Sequence, residues 1–147
     1  MTQEDKELLF KDLCARLPYN VICQVEFKEN GKYNSKVMLI SGIFTDEAYF
    51  TTKGGSIYSN EYKPYLFPML SMTEEQKKHI TDRWGINEDF NFEIDPNWGE
   101  YIVELGDTIN FINWLNENRF DINNLIPKGL AIDATGLNIY DKAKMNF

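Results

Sequence analysis

The residues best suited to chemistry are acidic, and they lie in one central segment. Between Trp84 and Asn118 there are eight Asp or Glu residues and no Lys or Arg, in a chain whose net charge is −8. The segments on either side are nearly neutral, so the negative charge is concentrated here. Carboxylates gathered in this way can engage a basic protein, imitate a phosphate backbone, hold a hard cation such as Ca²⁺, or form a solvated surface.

Two alternating stretches predict how these carboxylates are arranged. "DFNFEID" and "EYIVEL" flank "PNWG", which is the pattern of a β-hairpin. With the apolar side chains facing inward, four carboxylates share the outer face: Glu93, Asp95, Glu100 and Glu104. This acidic face is the first candidate binding site. We predict no metal and no cofactor, because the sequence has no D-x-[DN]-x-[DN]-G loop.

The common catalytic motifs are missing. The sequence contains no GxSxG, HExxH, Walker or GxGxxG motif. Its one histidine, His79, falls in a predicted helix with Glu75 and Arg83 one turn away on either side, which is typical of an exposed charged face. Cys14 and Cys23 lie beside apolar stripes and are predicted to be buried and unreactive. We therefore expect no catalytic residue and no enzyme.

Aromatic residues near scattered basic ones form a second candidate surface. Such side chains serve as stacking platforms for bases, as protein interfaces or as ordinary core packing. The candidates are Tyr58, Tyr62 and Trp98 with the basic residues Lys53 and Arg119. The net negative charge argues against a protein that binds duplex nucleic acid by neutralising phosphates.

An N-terminal helix and a meander of strands are predicted to precede these sites. Thr2 followed by Asp5 is a capping box, and the helix should end before Pro18. "VICQVEF" alternates as a strand, and "SKVMLIS", "AYFTT" and "IYSNEY" are the next three strands. Asn30-Gly31 is a hairpin signal between the first two strands. The N-terminal helix is predicted to pack on the core through one apolar stripe, formed by Leu9, Leu13 and Leu17.

A proline-containing apolar run, "YKPYLFPMLSMTEEQ", joins the two halves of the chain. Pro64 is expected to end the last strand, because proline cannot donate to a ladder. The bulky residues that follow are too apolar for an exposed docking motif, so we predict a buried strap. Thr73 and Gln76 form a capping box that opens the next helix, which should end near Gly85.

One compact α+β domain over residues 1–147 is the simplest architecture. Residues 1–70 are predicted to hold the helix and a small antiparallel, barrel-like sheet, and residues 71–147 a helix, the hairpin, a helix and an irregular tail. The last helix, "TINFINWLNEN", should turn three aliphatic residues inward, and the tail should contain a turn at 123–126, a short strand at 130–133 and mobile last residues. The three aliphatic residues are Ile109, Ile112 and Leu115.

The first half resembles Sm-like and SH3-like small barrels. "NVICQVEFKENGKYNSKVMLISG" followed by "YFTTKGGSIYS" carries the resemblance, with Lys53-Gly54 as the basic residue and glycine before a late strand. Sm proteins contact RNA bases with an Asp and an Asn between their second and third strands. Here "IFTDEAYF" has Asp46 but no Asn, so RNA binding is not implied. An open edge strand in such a barrel would be a route to homo-oligomers.

A second resemblance covers more of the chain. "KDLCARLPYNV", "KPYLFPMLSMTEEQ" and "NWLNENRFDINNLIPKGLAIDATG" are similar to a family of small proteins from Bacteroides-type bacteria and their prophages and mobile elements. That family has no known activity, so the resemblance implies an origin and no mechanism.

Three functions stay open on the sequence alone. The leading hypothesis is a non-catalytic binding protein that engages a basic protein partner through the acidic face. The alternative is a protein that sequesters a small ligand, such as a nucleotide signal in host–phage conflict, and it requires an aromatic pocket with donors from Lys53, Lys63 or Arg119. The third is a hydrolase-type enzyme with a carboxylate pair, which the missing motifs disfavour. With two cysteines and no apolar run of membrane-spanning length, we expect a cytoplasmic protein without membrane contact.

Overall fold

The computed structural model describes residues 1–44, 47–52, 55–86 and 105–141, and the fold is given for these residues. It is an α+β fold with an N-terminal helix and a six-stranded mixed sheet. The α-helices are α1 (Gln3–Arg16), α2 (Glu74–Trp84) and α3 (Leu105–Glu117), and the strands are β1 (Ile22–Glu29), β2 (Lys32–Ile43), β3 (Ala48–Thr52), β4 (Gly55–Ser59), β5 (Glu61–Leu66) and β6 (Ile132–Asp133). Short 3₁₀ turns follow α1 at Leu17–Tyr19 and precede α2 at Met69–Ser71.

Both predicted capping boxes are confirmed. The Thr2 hydroxyl accepts from the Asp5 N–H at 3.0 Å, and the Thr2 N–H donates to the Asp5 carboxylate at 3.1 Å. Thr73 and Gln76 form the same reciprocal pair at the start of α2. Gly85 ends α2 in the left-handed conformation, with φ of 67°. Local sequence therefore determines where these two helices begin.

The sheet has the strand order β4-β3-β2-β1-β5-β6 and is not closed. All neighbours pair antiparallel except β5 and β6, which are parallel. Asn30 and Gly31 both have positive φ in the β1–β2 turn, as the hairpin signal predicted. The pairing of β2 with β3 shifts register between Ile40 and Gly42, which is an irregularity of the β-bulge type. Because the sheet is open, the prediction of a small barrel in residues 1–70 is not confirmed.

The prediction that Pro64 ends a strand is wrong. "IYSNEY" divides at Asn60, and β5 runs from Glu61 through Pro64 to Leu66 beside β1. The Leu66 carbonyl accepts from the Ala134 N–H at 2.8 Å, so its backbone groups face β6, and those of Pro64, two residues earlier, face the same side. Because β6 pairs only with Tyr65 and Leu66, no donor is needed at Pro64. The apolar run is buried only in part: Pro64, Tyr65, Leu66 and Met72 are buried, whereas Leu70 is 90% exposed, so the prediction of a buried strap is only partly confirmed.

The main core lies between α1 and one face of the sheet. The residues that fill it come from α1, from the first three strands, from β5 and from the C-terminal segment. They include Leu9, Leu13, Val21, Cys23, Val25, Met38, Ile40, Phe50, Leu66, Leu125, Leu130 and Ala131. A second cluster joins α2 to α3 through Met72, Ile80, Trp84, Ile86, Phe111, Leu115 and Phe120. Residues from the far end of the chain thus complete the core of the N-terminal half.

Two predictions of inward-facing residues on α3 are wrong. Ile109 and Ile112 are 49% and 41% exposed, whereas Phe111 and Leu115 are buried. The helix packs against α2 with Phe111 and Leu115, which are four residues apart. The prediction used a spacing of three residues from Ile109 to Leu115, and that spacing does not stay on one face of a helix with 3.6 residues per turn. Leu115 itself was predicted correctly.

The C-terminal segment is irregular up to its short strand. Turns occupy much of 122–128, and β6 forms only the last two residues of the strand predicted at 130–133. The predicted hairpin lies outside the described ranges except for its last residue, Leu105, which begins α3, and residues 142–147 also lie outside them. None of the helices in the described ranges is long and apolar enough to cross a bilayer.

Candidate binding groove

The predicted site residues fall into two groups. The acidic face (Glu93, Asp95, Glu100 and Glu104), Trp98 and Lys53 lie outside the residues that the structure describes. Tyr58, Tyr62 and Arg119 are described, and they lie in three different surroundings. Tyr62 lines a groove, Tyr58 lies on β4, and Arg119 follows α3.

A groove of about 950 Å³ lies between α1 and the start of β5. Helix α1 packs on the core through Leu9 and Leu13, and this leaves an adjacent face of the helix as one wall of the groove. That wall is formed by Gln3, Lys6, Glu7 and Phe10, which follow helical i, i+3, i+4, i+7 spacing. The opposite wall comes from β1, the end of β2 and the start of β5, and it includes Gln24, Glu26, Phe44, Tyr62 and Lys63. We call this feature the α1 groove.

Exposed apolar side chains gather around the α1 groove. Met1, Phe10 and Phe44 line it and are 60%, 41% and 54% exposed. Tyr58, which is 56% exposed, extends this surface because its ring centroid lies 6.0 Å from that of Phe44 and 5.0 Å from that of Tyr49. Scattered single apolar residues are normal on a surface, but several that line one concave groove are typical of an interaction site.

The rim of the α1 groove carries an excess of negative charge. The lining side chains include four carboxylates against two ammonium groups, a side-chain balance of −2. None of these six residues forms an ion pair with another residue of the described part of the chain. The acidic residues are Glu7, Glu26, Glu47 and Glu61, and the basic residues are Lys6 and Lys63. A ligand of positive charge would meet unneutralised carboxylates here.

Tyr62 gives the groove a neutral polar group. Its ring packs on Phe50 with the centroids 5.1 Å apart, and the residue is half-buried. Burial raises the pKa of Tyr62 to about 12, so the phenol stays protonated at neutral pH. It can donate or accept a hydrogen bond from the groove wall.

Arg119 takes part in a structural contact and does not line the α1 groove. Its guanidinium lies 4.0 Å from the ring centroid of Tyr140 and donates to the Tyr19 carbonyl at 2.8 Å. The Tyr140 hydroxyl donates to the Tyr65 carbonyl at 2.6 Å and accepts from the Ile22 N–H at 3.3 Å. Burial lowers the pKa of Arg119 and raises that of Tyr140. This group ties the C-terminal segment to the ends of β1 and β5.

A buried ion pair under α1 was not expected from the sequence. The Arg16 Nε donates to one Asp12 carboxylate oxygen at 2.7 Å and its Nη2 to the other at 3.0 Å, and Asn123 donates to the same carboxylate at 2.8 Å. Asp12 and Arg16 are 2% and 0% exposed. Their i, i+4 spacing was the available signal, but the sequence alone does not show that both point inward. The prediction that Cys14 is buried is wrong, because α1 buries residues 12 and 16 and leaves Cys14 exposed.

The remaining candidates for chemistry have structural surroundings. His79 is exposed, and its ring stacks on that of Trp114 at 5.4 Å and meets Trp84 edge-on at 5.6 Å. Cys23 is buried as predicted, and burial raises the pKa of its thiol. Within the described ranges, no group of three or more His, Cys, Asp or Glu residues could hold a metal ion.

No protein-family model, no curated protein and no solved structure matches this chain. The α1 groove is therefore interpreted from its own geometry. It combines an exposed apolar surface, an acidic rim and neutral hydrogen-bonding groups in one concave place. Concave surfaces that combine these features are found where proteins bind polypeptide segments.

Proposed function

We propose that this protein is a non-catalytic binding protein that holds a basic, partly apolar segment of a protein partner in the α1 groove. The observation that carries the proposal is the gathering of Met1, Phe10 and Phe44, all well exposed, along a groove whose rim has four carboxylates and two ammonium groups. The partner is basic, as in the hypothesis from the sequence, but it binds in the α1 groove.

The apolar residues supply most of the binding energy in this proposal. Covering an exposed Phe side chain completely is worth about 1.5–3 kcal/mol, so two half-covered rings contribute a comparable amount. Phe10 and Phe44 lie on opposite walls, and an aliphatic or aromatic side chain of the partner would be held between them. The unpaired carboxylates then favour Lys or Arg next to that side chain and speed association at low salt.

We also infer that strands β1–β5 form an incomplete SH3-like barrel. Their order, β4-β3-β2-β1-β5, brings the end of β4 towards β1, and the Ser59 hydroxyl donates to the Glu26 carbonyl at 2.5 Å. The same hydroxyl accepts from the Glu61 N–H at 3.0 Å, so the turn from β4 to β5 is tied across the sheet. This arrangement would fix the wall of the groove that β1 and β5 provide.

The test uses an arrayed library of random dodecapeptides and two variants. The wild-type protein is expected to select peptides rich in Lys or Arg beside a large apolar residue. Phe10→Ser with Phe44→Ser should weaken binding of the selected peptides by about tenfold or more. Leu70→Ser is the matched control, since Leu70 is 90% exposed and does not line the groove.

Charge is tested separately on the same peptides. Changing Glu7, Glu47 and Glu61 to Gln should reduce affinity and flatten its dependence on salt, while Glu74→Gln with Glu75→Gln on α2 should not. Selection of peptides without a basic or apolar bias would overturn the proposal. So would equal losses in the Phe10/Phe44 variant and in the Leu70 variant.

A nucleotide is the second candidate ligand, because Lys6, Lys63, Phe10 and Tyr62 line the same groove. Aromatic rings stack on bases and ammonium groups bind phosphates, but the four carboxylates of the rim oppose a phosphate ligand. To separate the two candidates, the Tm of the protein is measured in the presence of each member of a panel of mononucleotides and cyclic dinucleotides. A saturable rise in Tm that is lost in Lys6→Gln with Lys63→Gln would favour the nucleotide.

A further inference from the structure

A second opening lies at the other side of the sheet, where β4 faces the end of β1. Strand β5 begins at Glu61, opposite Glu26, so residues 27–29 of β1 extend past it. On the other edge, β4 has β3 as its only neighbour in the described sheet. A groove of about 290 Å³ separates these two stretches, and we call it the seam.

The walls of the seam are strand edges. Phe27, Lys28 and Glu29 line one side, and Ser56 and Ile57 line the other. The sequence of β4, "GSIYS", contains none of the charged or proline residues that commonly protect an edge strand from pairing with another chain. At one end the seam is fastened, because Ser59 of β4 bonds to the carbonyl of Glu26. Beyond this point, neither residues 27–29 of β1 nor Ser56 and Ile57 of β4 have a further strand on that side in the described sheet, and such edges can accept one more strand.

The floor and charge of the seam indicate which strand would fit. Met38, which is 2% exposed, lies at the floor beside Phe27 and Ile57. The Lys36 ammonium lies 5.6 Å from the ring centroid of Phe27, at the seam. Neither Lys28 nor Lys36 forms an ion pair in the described part of the chain, and the seam has two ammonium groups against one carboxylate.

We infer that the seam accepts an extended segment of another protein in which acidic and apolar residues alternate. Its backbone pairs with the strand edges of the seam, its apolar side chains contact Met38, Phe27 and Ile57, and a carboxylate pairs with Lys36. This inference concerns a different surface, and a ligand of opposite charge, from the proposed function. The protein would then connect two polypeptides of opposite charge.

The experiment uses ¹⁵N-labelled protein and a blocked heptapeptide of alternating valine and aspartate. The peptide is expected to shift the amide resonances of Phe27–Glu29, Ser56 and Ile57. An otherwise identical peptide with N-methylated valines should bind at least about tenfold more weakly, because it lacks the donors that a strand must supply. A valine–lysine peptide should not bind measurably.

Variants separate the seam from the α1 groove. Lys36→Gln should weaken the valine–aspartate peptide about three- to fivefold, while Lys78→Gln on α2 should leave it unchanged. The Phe10→Ser, Phe44→Ser variant should bind this peptide as the wild type does, so a failure of the proposed function does not affect the result. Equal binding of the N-methylated peptide, equal effects of the two lysine variants, or shifts confined to the α1 groove would each overturn the inference.

Discussion

The two faces of α1 have opposite chemistry. The face turned to the protein carries the ion pair of Asp12 and Arg16 between Leu9 and Leu13, whereas the face turned to the groove carries the exposed ring of Phe10. The Asp12 carboxylate and two of the three guanidinium nitrogens of Arg16 are partnered, and the third nitrogen, Nη1, has no hydrogen-bond partner. The ring of Phe10 outside is 41% exposed. The difference shows which face is complete in the folded chain and which one has room for a ligand.

The largest effect is expected from breaking the inner face. Asp12→Ala leaves the Arg16 guanidinium buried without a carboxylate and removes the acceptor of Asn123. The free energy of unfolding should fall by about 3–5 kcal/mol, measured by urea denaturation. The double variant Asp12→Leu, Arg16→Met should recover most of the loss, because an apolar pair of similar volume needs no partner. A loss below about 1 kcal/mol for Asp12→Ala would show that the pair is not buried in solution.

A smaller effect is expected at the second buried polar contact. Tyr140→Phe removes the hydroxyl between the Ile22 N–H and the Tyr65 carbonyl and leaves both without that partner. The expected cost is about 1–3 kcal/mol in the same denaturation measurement. Tyr33→Phe is the control, since Tyr33 is 66% exposed, and it should change stability by less than about 0.5 kcal/mol. Equal effects of the two variants would contradict the structural role of Tyr140.

The smallest effect on stability is expected on the outer face. Phe10→Ser should lower the free energy of unfolding by only about 1 kcal/mol, because the ring is 41% exposed and lies at the groove. Leu13→Ala, one turn away on the inner face, should cost about 2–5 kcal/mol. Thermal and urea unfolding of both variants measure the contrast. A large loss for Phe10→Ser would mean that the groove face contributes to the core.

Local signals in the sequence predicted the helix starts and turns well. The capping boxes at Thr2 and Thr73, and the Asn30-Gly31 turn, each depend on contacts within about four residues, so a sequence can reveal them. The path of β5 through Pro64 could not be predicted, because proline is tolerated there only since β6 begins one residue further along, opposite Tyr65. The burial of Arg16 depends on its contact with Asp12 and on the core around it.

The groove itself was predicted only in part. Tyr62 was chosen as a candidate and lines it, but Phe10 and Phe44 were not, because their nearness depends on how α1 crosses the sheet. Arg119 was chosen for its charge, and its guanidinium instead contacts Tyr140 and the Tyr19 carbonyl. The acidic face of Glu93, Asp95, Glu100 and Glu104 stays a prediction, since it lies outside the described residues.

The hydroxyl of Tyr140 also sets an order of events during synthesis. The Ile22 N–H that it accepts from is 118 residues earlier in the chain. At a translation rate of about 5–20 residues per second, Ile22 is made roughly 6–24 s before Tyr140. The end of the β1–β5 ladder therefore stays incomplete on the ribosome until the C-terminal segment has been made. Folding of the N-terminal sheet to its final state is, for this protein, a late event.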